Sequence, residues 1–248
     1  MFYRDLKSRF LDLLGDRGLE KEEVVIETRI LKAQEAIGSP GRKDFPLLKG
    51  KEVLMEATFL GARGQAYTHA PSEFRGPLGE IVELSLEDTR ERALFIAALN
   101  AVMRYLNPQL LTVHCRDEEP EECAREMAAF VEALNPGKVG LIGLQPAILE
   151  NLVKVLGPER VLCADRDEEK RGSVKFGVPL LWGDEEGLER IMEESDVVLA
   201  TGSTVVNGSI VEILASAGRH GVGLYFYGVT IAGPAELMGL NRLCFKAH

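Results

Sequence analysis

The sequence predicts an α/β protein, a doubly wound parallel sheet preceded by a smaller α+β unit. Three observations carry that expectation. Beyond residue 138 four short apolar runs, Val139–Ile142, Val161–Ala164, Val197–Ala200 and Gly223–Tyr227, alternate with helical patterns at 147–156, 185–194 and 209–217. Buried parallel strands read as continuous apolar runs, and their alternation with helices marks βαβ units. Before residue 108 the order differs: strand-like segments come first and a long helix closes the unit, the α+β arrangement. Third, Asp196–Gly208 (DVVLATGSTVVNG) runs an apolar stretch into a glycine flanked by hydroxyls. In open parallel sheets that is where ligands bind.

The elements follow in chain order. Leu6, Phe10, Leu13 and Leu14 recur at helical spacing across residues 4–14, with Gly15 and Gly18 as the stop. From Glu22 to Ala36 the apolar positions Val24, Ile26 and Ile30 alternate as in a half-buried strand. Gly38 to Gly41 and Pro46 mark a long connection. A second strand is expected from Lys51 to Leu60, closed by Gly61 and Gly64, and a third at Glu80–Leu84. Thr89–Leu106 is a strongly amphipathic helix stopping at Asn107-Pro108. These elements place a first domain at 1–107 and a second at 108–248. The second opens with a strand at Leu110–Cys115 and a helix at Glu121–Leu134, ahead of the βα alternation.

A net charge of −10, with Arg and Lys interspersed among Glu, argues against a nucleic-acid partner. No apolar run approaches the roughly 20 residues of a membrane span, and the amino terminus lacks a signal-peptide core. Four cysteines without a Cys-x-x-Cys suggest neither a disulfide framework nor a zinc knuckle. A cytoplasmic protein with a small-molecule partner is expected; self-association stays open.

Chemistry is sought at the strand ends. Gly143 follows the first parallel strand, where nucleotide-binding domains carry a glycine-rich turn facing a phosphate. Gln145 and Ala147 stand where further glycines would fall, and Pro146 donates no N–H, so the fingerprint is degraded. Asp165 ends the next strand about 20 residues on, the spacing of an acidic residue that holds a ribose. It is equally placed for an amine or a strand terminus. Thr201, Gly202, Ser203, Thr204 and Asn207 form the hydroxyl-rich turn, which also reads as a plain Gly-Ser turn with a helix cap. Gly228 and Thr230 lead a Gly-Val-Thr-Ile-Ala-Gly-Pro loop after the last strand. In the first half, Gly61 to Thr68 reads as a polar loop able to close over the cleft through Gly64, Gln65 and Thr68; a hairpin explains its glycines nearly as well.

Metal ligands are sparse. His114 and Cys115 are neighbours in an expected strand, so their side chains should point to opposite faces. Cys163 reads as a small buried hydrophobe, and His69 is the best-placed histidine. Ser203 is outside a Gly-x-Ser-x-Gly elbow, against a serine hydrolase.

Taken together, Gly64-Gln-Ala-Tyr-Thr68, Ile96-Ala-Ala-Leu-Asn-Ala-Val102, Val139-Gly-Leu-Ile-Gly143, Thr201-Gly-Ser-Thr-Val-Val-Asn-Gly208 and Gly228-Val-Thr230 through Pro234 resemble, in this order, a microbial family described as "putative heavy-metal chelation". The resemblance spans nearly the whole chain. It implies an enolase-N-terminal-like domain joined to a Rossmann-like domain, a cleft between them lined by those loops, and a role in binding or making a metal chelate. The sequence departs from the family at Gln145, at Asp165 and in a longer connection over residues 109–136. The rival expectation is a Rossmann-type transferase using a nucleotide-like cofactor such as S-adenosylmethionine. Cofactor candidates are thus a divalent metal or a nucleotide-like molecule.

Overall fold

The computed structural model describes residues 1–27, 38–45 and 53–248. The parts of the expected strands at 28–36 and 51–52, and Pro46, lie outside the described residues.

Helix α1 (Phe2–Gly15) buries Phe2, Leu6, Phe10 and Leu14, the positions its 3.6-residue period predicts. Strands β1 (Glu23–Glu27), β2 (Val53–Phe59), β3 (Ala62–Thr68) and β4 (Phe74–Pro77) form a four-stranded sheet in the order β3-β2-β1-β4. Each neighbouring pair is antiparallel. Here two expectations are corrected. Residues 62–68 are a strand rather than a loop: Leu60 and Gly61 take φ of 46° and 84°, the positive values a two-residue hairpin turn requires. Residues 80–84 are not a strand. They belong to helix α2 (Leu78–Glu83), whose buried Leu78, Ile81 and Val82 sit at i, i+3 and i+4.

Helix α3 (Thr89–Leu106) has the expected bounds, but it is buried all round rather than on one face, and it is capped by the Asp88 carboxylate, which accepts from Glu91 N at 2.8 Å. Every residue from Ala93 to Met103 is buried. A helix apolar on all sides lies inside a core, and α3 packs against β2 and β3 on one side and the second half on the other. One hydrophobic cluster accordingly runs from Phe2 through Phe95 to Ala235.

The expected strand at Leu110–Cys115 is also corrected. That segment is irregular, with bends at Leu110 and Val113, and joins neither sheet. Thr112 N and Val113 N both donate to His248 O, and Thr112 O accepts from Gln65 N. After α4 (Glu119–Ala133) come β5 (Val139–Ile142), α5 (Pro146–Leu156), β6 (Val161–Asp165), β7 (Val174–Lys175), β8 (Val178–Trp182), α6 (Glu185–Glu194), β9 (Val197–Thr201), α7 (Thr204–Asn207), α8 (Ile210–His220), β10 (Gly223–Tyr227), α9 (Ala232–Met238) and β11 (Arg242–Leu243). The seven strands order as β11-β10-β9-β5-β6-β8-β7, all parallel except the β7–β8 pair. The direction of winding reverses between β5 and β9. Ile142 pairs with Ala164 on one side and Ala200 on the other, and Ala200 with Phe226. Gly143, Asp165, Thr201 and Tyr227 therefore emerge at one level from four adjacent strands.

Candidate functional site

Those four strand ends open into a cavity of about 730 Å³. Gly143, Asp165, Thr201, Gly202, Ser203, Thr204, Asn207, Gly228 and Thr230 line it from the parallel sheet. Tyr67, His69, Asp44 and Phe45 line it from the first half of the chain.

The two central turns touch. Gly143 has φ of 86°, and a Cβ there would lie 2.6 Å from Thr201 Cγ2, so only glycine lets the β5 and β9 loops meet. Tyr227 Oη, from β10, donates to Gly143 O at 2.7 Å and ties a third loop to the pair. Within the hydroxyl turn, Thr204 Oγ1 donates to Thr201 O at 2.7 Å, and Thr201 Oγ1 and Ser203 Oγ lie 3.1 Å apart. Asn207 Oδ1 accepts from both the N–H and the hydroxyl of Ser209. Asn207 thus fixes the entry to α8 while its residue lines the cavity.

Asp165 is more deeply committed to the fold than its spacing suggested. Its Oδ2 accepts from Leu144 N at 2.6 Å, and its Oδ1 from Asp167 N at 2.8 Å and from Lys170 Nζ at 3.3 Å. At the start of α5, Gln145 caps the helix by accepting from Ile148 N at 2.7 Å, with Pro146 following. One of the N–H groups that a phosphate would meet at a helix start is thus already taken by a side chain of the protein.

Three expected residues do not line the cavity. Gly64, Gln65 and Thr68 lie in β3, where successive side chains alternate faces. Gly64 abuts α3: a Cβ there would lie 2.0 Å from Ala101 N. The Gln65 amide donates to Glu56 at 2.7 Å and accepts from His114 N at 2.7 Å, so its polar atoms are taken up by neighbouring segments although it shares a face with Tyr67. Thr68 Oγ1 accepts from Ala70 N and shapes the turn beyond the strand. Tyr67 and His69 are the residues that reach the cavity. Reading 62–68 as a strand would have separated Tyr67 from Gly64 and Thr68 by parity alone.

Two bridges join this wall to the parallel sheet. Thr230 Oγ1 accepts from Tyr67 N at 3.0 Å. Asn100, fully buried on α3, donates its amide to Gln65 O, Val229 O and Thr230 O, and accepts from Gly233 N at 2.6 Å. Asn100 was legible only as part of the helix phrase Ile96–Val102.

The far end of the cavity holds groups that sequence reasoning left apart. His114 and Cys115 both line it, because their segment is not a regular strand and parity does not separate them. Cys123 and Cys244 join them. Among the described residues no group of three or more His, Cys, Asp or Glu side chains is arranged to hold a metal ion. Likewise, no helix among them is long and apolar enough to cross a membrane.

Among solved structures, a protein of unknown function from the DUF364 family of Pyrococcus horikoshii superposes with a TM-score of 0.59 at 15% identity, over 96% of this chain and 83% of that one. A DUF364 protein from Desulfitobacterium hafniense DCB-2 aligns at 18% identity and a TM-score of 0.49, over 75% of this chain and 73% of that one. No curated protein matches. Residues 126–231, the stretch that holds Val139–Gly143 and Thr201–Gly208, match the DUF364 family, described as "Putative heavy-metal chelation".

Proposed function

We propose that residues 1–107 and 108–248 act as two domains whose shared cavity binds a small polar molecule able to chelate a metal. In this reading the metal-binding donors belong to the ligand, and the protein supplies hydrogen bonds and shape. The observation that carries it is the convergence of the β5, β6, β9 and β10 ends on one cavity of about 730 Å³, faced by Tyr67 and His69. That volume is typical of small-molecule sites, and ligands of parallel sheets sit where the winding reverses. Thr201, Ser203, Thr204 and Thr230 offer hydroxyls. Gly143, Gly202 and Gly228 allow backbone approach, Asn207 steadies the turn, and Gln65, Gly64 and Thr68 support the opposing wall. The transferase alternative is less well supported, since Gln145 caps α5 and the Asp165 oxygens already accept three hydrogen bonds.

Native mass spectrometry of the full chain as purified, followed by titration with nitrilotriacetate with and without a divalent cation, tests the reading. Ser203→Ala and His69→Ala should each weaken binding by about 0.5–1.5 kcal/mol, the net worth of one neutral hydrogen bond. Absence of any bound mass, together with identical titrations of wild type and both variants, would refute it.

A further inference from the structure

Three thiols from separate parts of the chain line the same cavity: Cys115 in the segment before α4, Cys123 on α4 and Cys244 after β11. All are free. Phe245 N, bonded directly to the Cys244 carbonyl carbon, donates to Cys123 Sγ at 3.4 Å, which brings the Cys244 backbone close to that sulfur. Lys246 pairs with Glu122 and Glu126 on α4, at 3.6 and 2.8 Å. The carboxyl-terminal segment is therefore pinned to α4 on both sides of the Cys123–Phe245 contact. A disulfide holds its Cβ atoms about 3.5–4.5 Å apart, and two cysteines whose segments already touch through Phe245 N and Cys123 Sγ need little movement of the elements that carry them.

We propose that Cys244 and Cys123 form a thiol–disulfide exchange pair in the cavity wall, with a low-molecular-weight disulfide as the reactant. The neighbouring Cys123 thiol and the Arg242 guanidinium draw the Cys244 thiol down, against its burial. The closeness of Cys244, together with burial, pushes Cys123 up, and burial raises Cys115 to about 12. Cys244 is thus the thiol of the pair that ionises more readily, and the thiolate is the nucleophile. Its sulfur attacks one sulfur of the small disulfide; the S–S bond breaks and one half leaves as a thiol. The Cys123 thiol then loses its proton and attacks Cys244 Sγ, expelling the second half as another thiol. The protein pair is oxidised by two electrons and the small disulfide is reduced to two thiols. The pair is independent of what the rest of the cavity binds.

Reduced full-length protein is incubated with oxidised glutathione at pH 7, acid-quenched, and analysed by intact mass and peptide mapping. Wild type should lose two hydrogens and yield a Cys123–Cys244 linked peptide. Cys123→Ser should stop at one glutathione on Cys244, and Cys244→Ser should react at least about tenfold more slowly, its remaining thiols being buried. The wild-type peptide map is decisive should a serine variant fail to fold. No cross-link, a cross-link through Cys115 or Cys163, or glutathione absent from Cys244 in folded Cys123→Ser would each overturn the proposal.

Discussion

Replacing Asn100 with alanine should destabilise the protein by more than any other single polar deletion on α3. The side chain is completely buried, and its amide meets three carbonyl oxygens at 2.8, 3.2 and 3.0 Å while its carbonyl accepts from Gly233 N at 2.6 Å. Alanine leaves the Gly233 N–H without this partner and three carbonyls short of a donor. An orphaned buried group costs about 1–3 kcal/mol, and carbonyls with ladder partners lose less. A total of about 3 kcal/mol follows, before any cavity left by the missing amide. For a chain of this size each kcal/mol shifts the melting temperature by about 2–4 °C, so a fall of about 6–12 °C is expected in calorimetry. Asn100→Asp sharpens the test, because it keeps the shape and the acceptor for Gly233 but turns a lone pair toward the three carbonyls. It should be no better than alanine at neutral pH. A melting temperature within about 2 °C of wild type for Asn100→Ala would refute the reasoning.

Asp165→Ala should cost about 2–4 kcal/mol in denaturant titration, from the loss of charged hydrogen bonds to Leu144 N and Asp167 N; unchanged stability with weakened ligand binding would return Asp165 to a purely ligand-holding role. Gly64→Ala should cost about 3 kcal/mol or more and lower soluble yield. The Cβ meets Ala101 N at 2.0 Å, and helix backbone cannot rotate aside; a wild-type melt would contradict that packing. Glu189 is held down to about 2, first by its hydrogen bond to His220 and then by Ser216 and Arg219. A carboxyl depressed in the folded state adds stability above its ordinary value near 4.5 that is lost as pH falls toward 2. The melting curves of Glu189→Gln should therefore depend less on pH across that window than those of wild type, and parallel pH profiles would count against the cluster.

The parallel half was readable because its strands are buried on both faces: apolar runs such as Val197–Ala200 identify themselves without any partner. Helix α3 announced itself by length and period, and α6 and β10 fall on their expected bounds. The first half was harder. In β3 the sequence Ala-Arg-Gly-Gln-Ala-Tyr-Thr has no apolar alternation, because its inner face meets α3 through Gly64 and Ala66 and its outer face carries Gln65 and Tyr67. A strand whose pattern is set by close helix approach carries a weak period-2 signal. In the site, Thr201 to Asn207 stood out because a glycine-hydroxyl turn after an apolar run is local in sequence. His114, Cys123 and Cys244 did not, since only the return of the chain end to Val113 brings them together.

The burial of α3 has a consequence for how the molecule comes apart. Leu99 and Met103 pack near Gly233, and Arg92 Nε donates to Val206 O at 2.7 Å, while the other side of the helix carries β2 and β3. Neither sheet keeps its interior covered if this helix leaves. The two sheets should therefore unfold in one cooperative step, with a denaturant slope set by the surface of the whole chain and not of either part. A fragment beginning at residue 108 would lack the helix that covers Val205, Val206 and Ile231. Weak binding by such a fragment would then report a collapsed scaffold and say nothing about who holds the ligand.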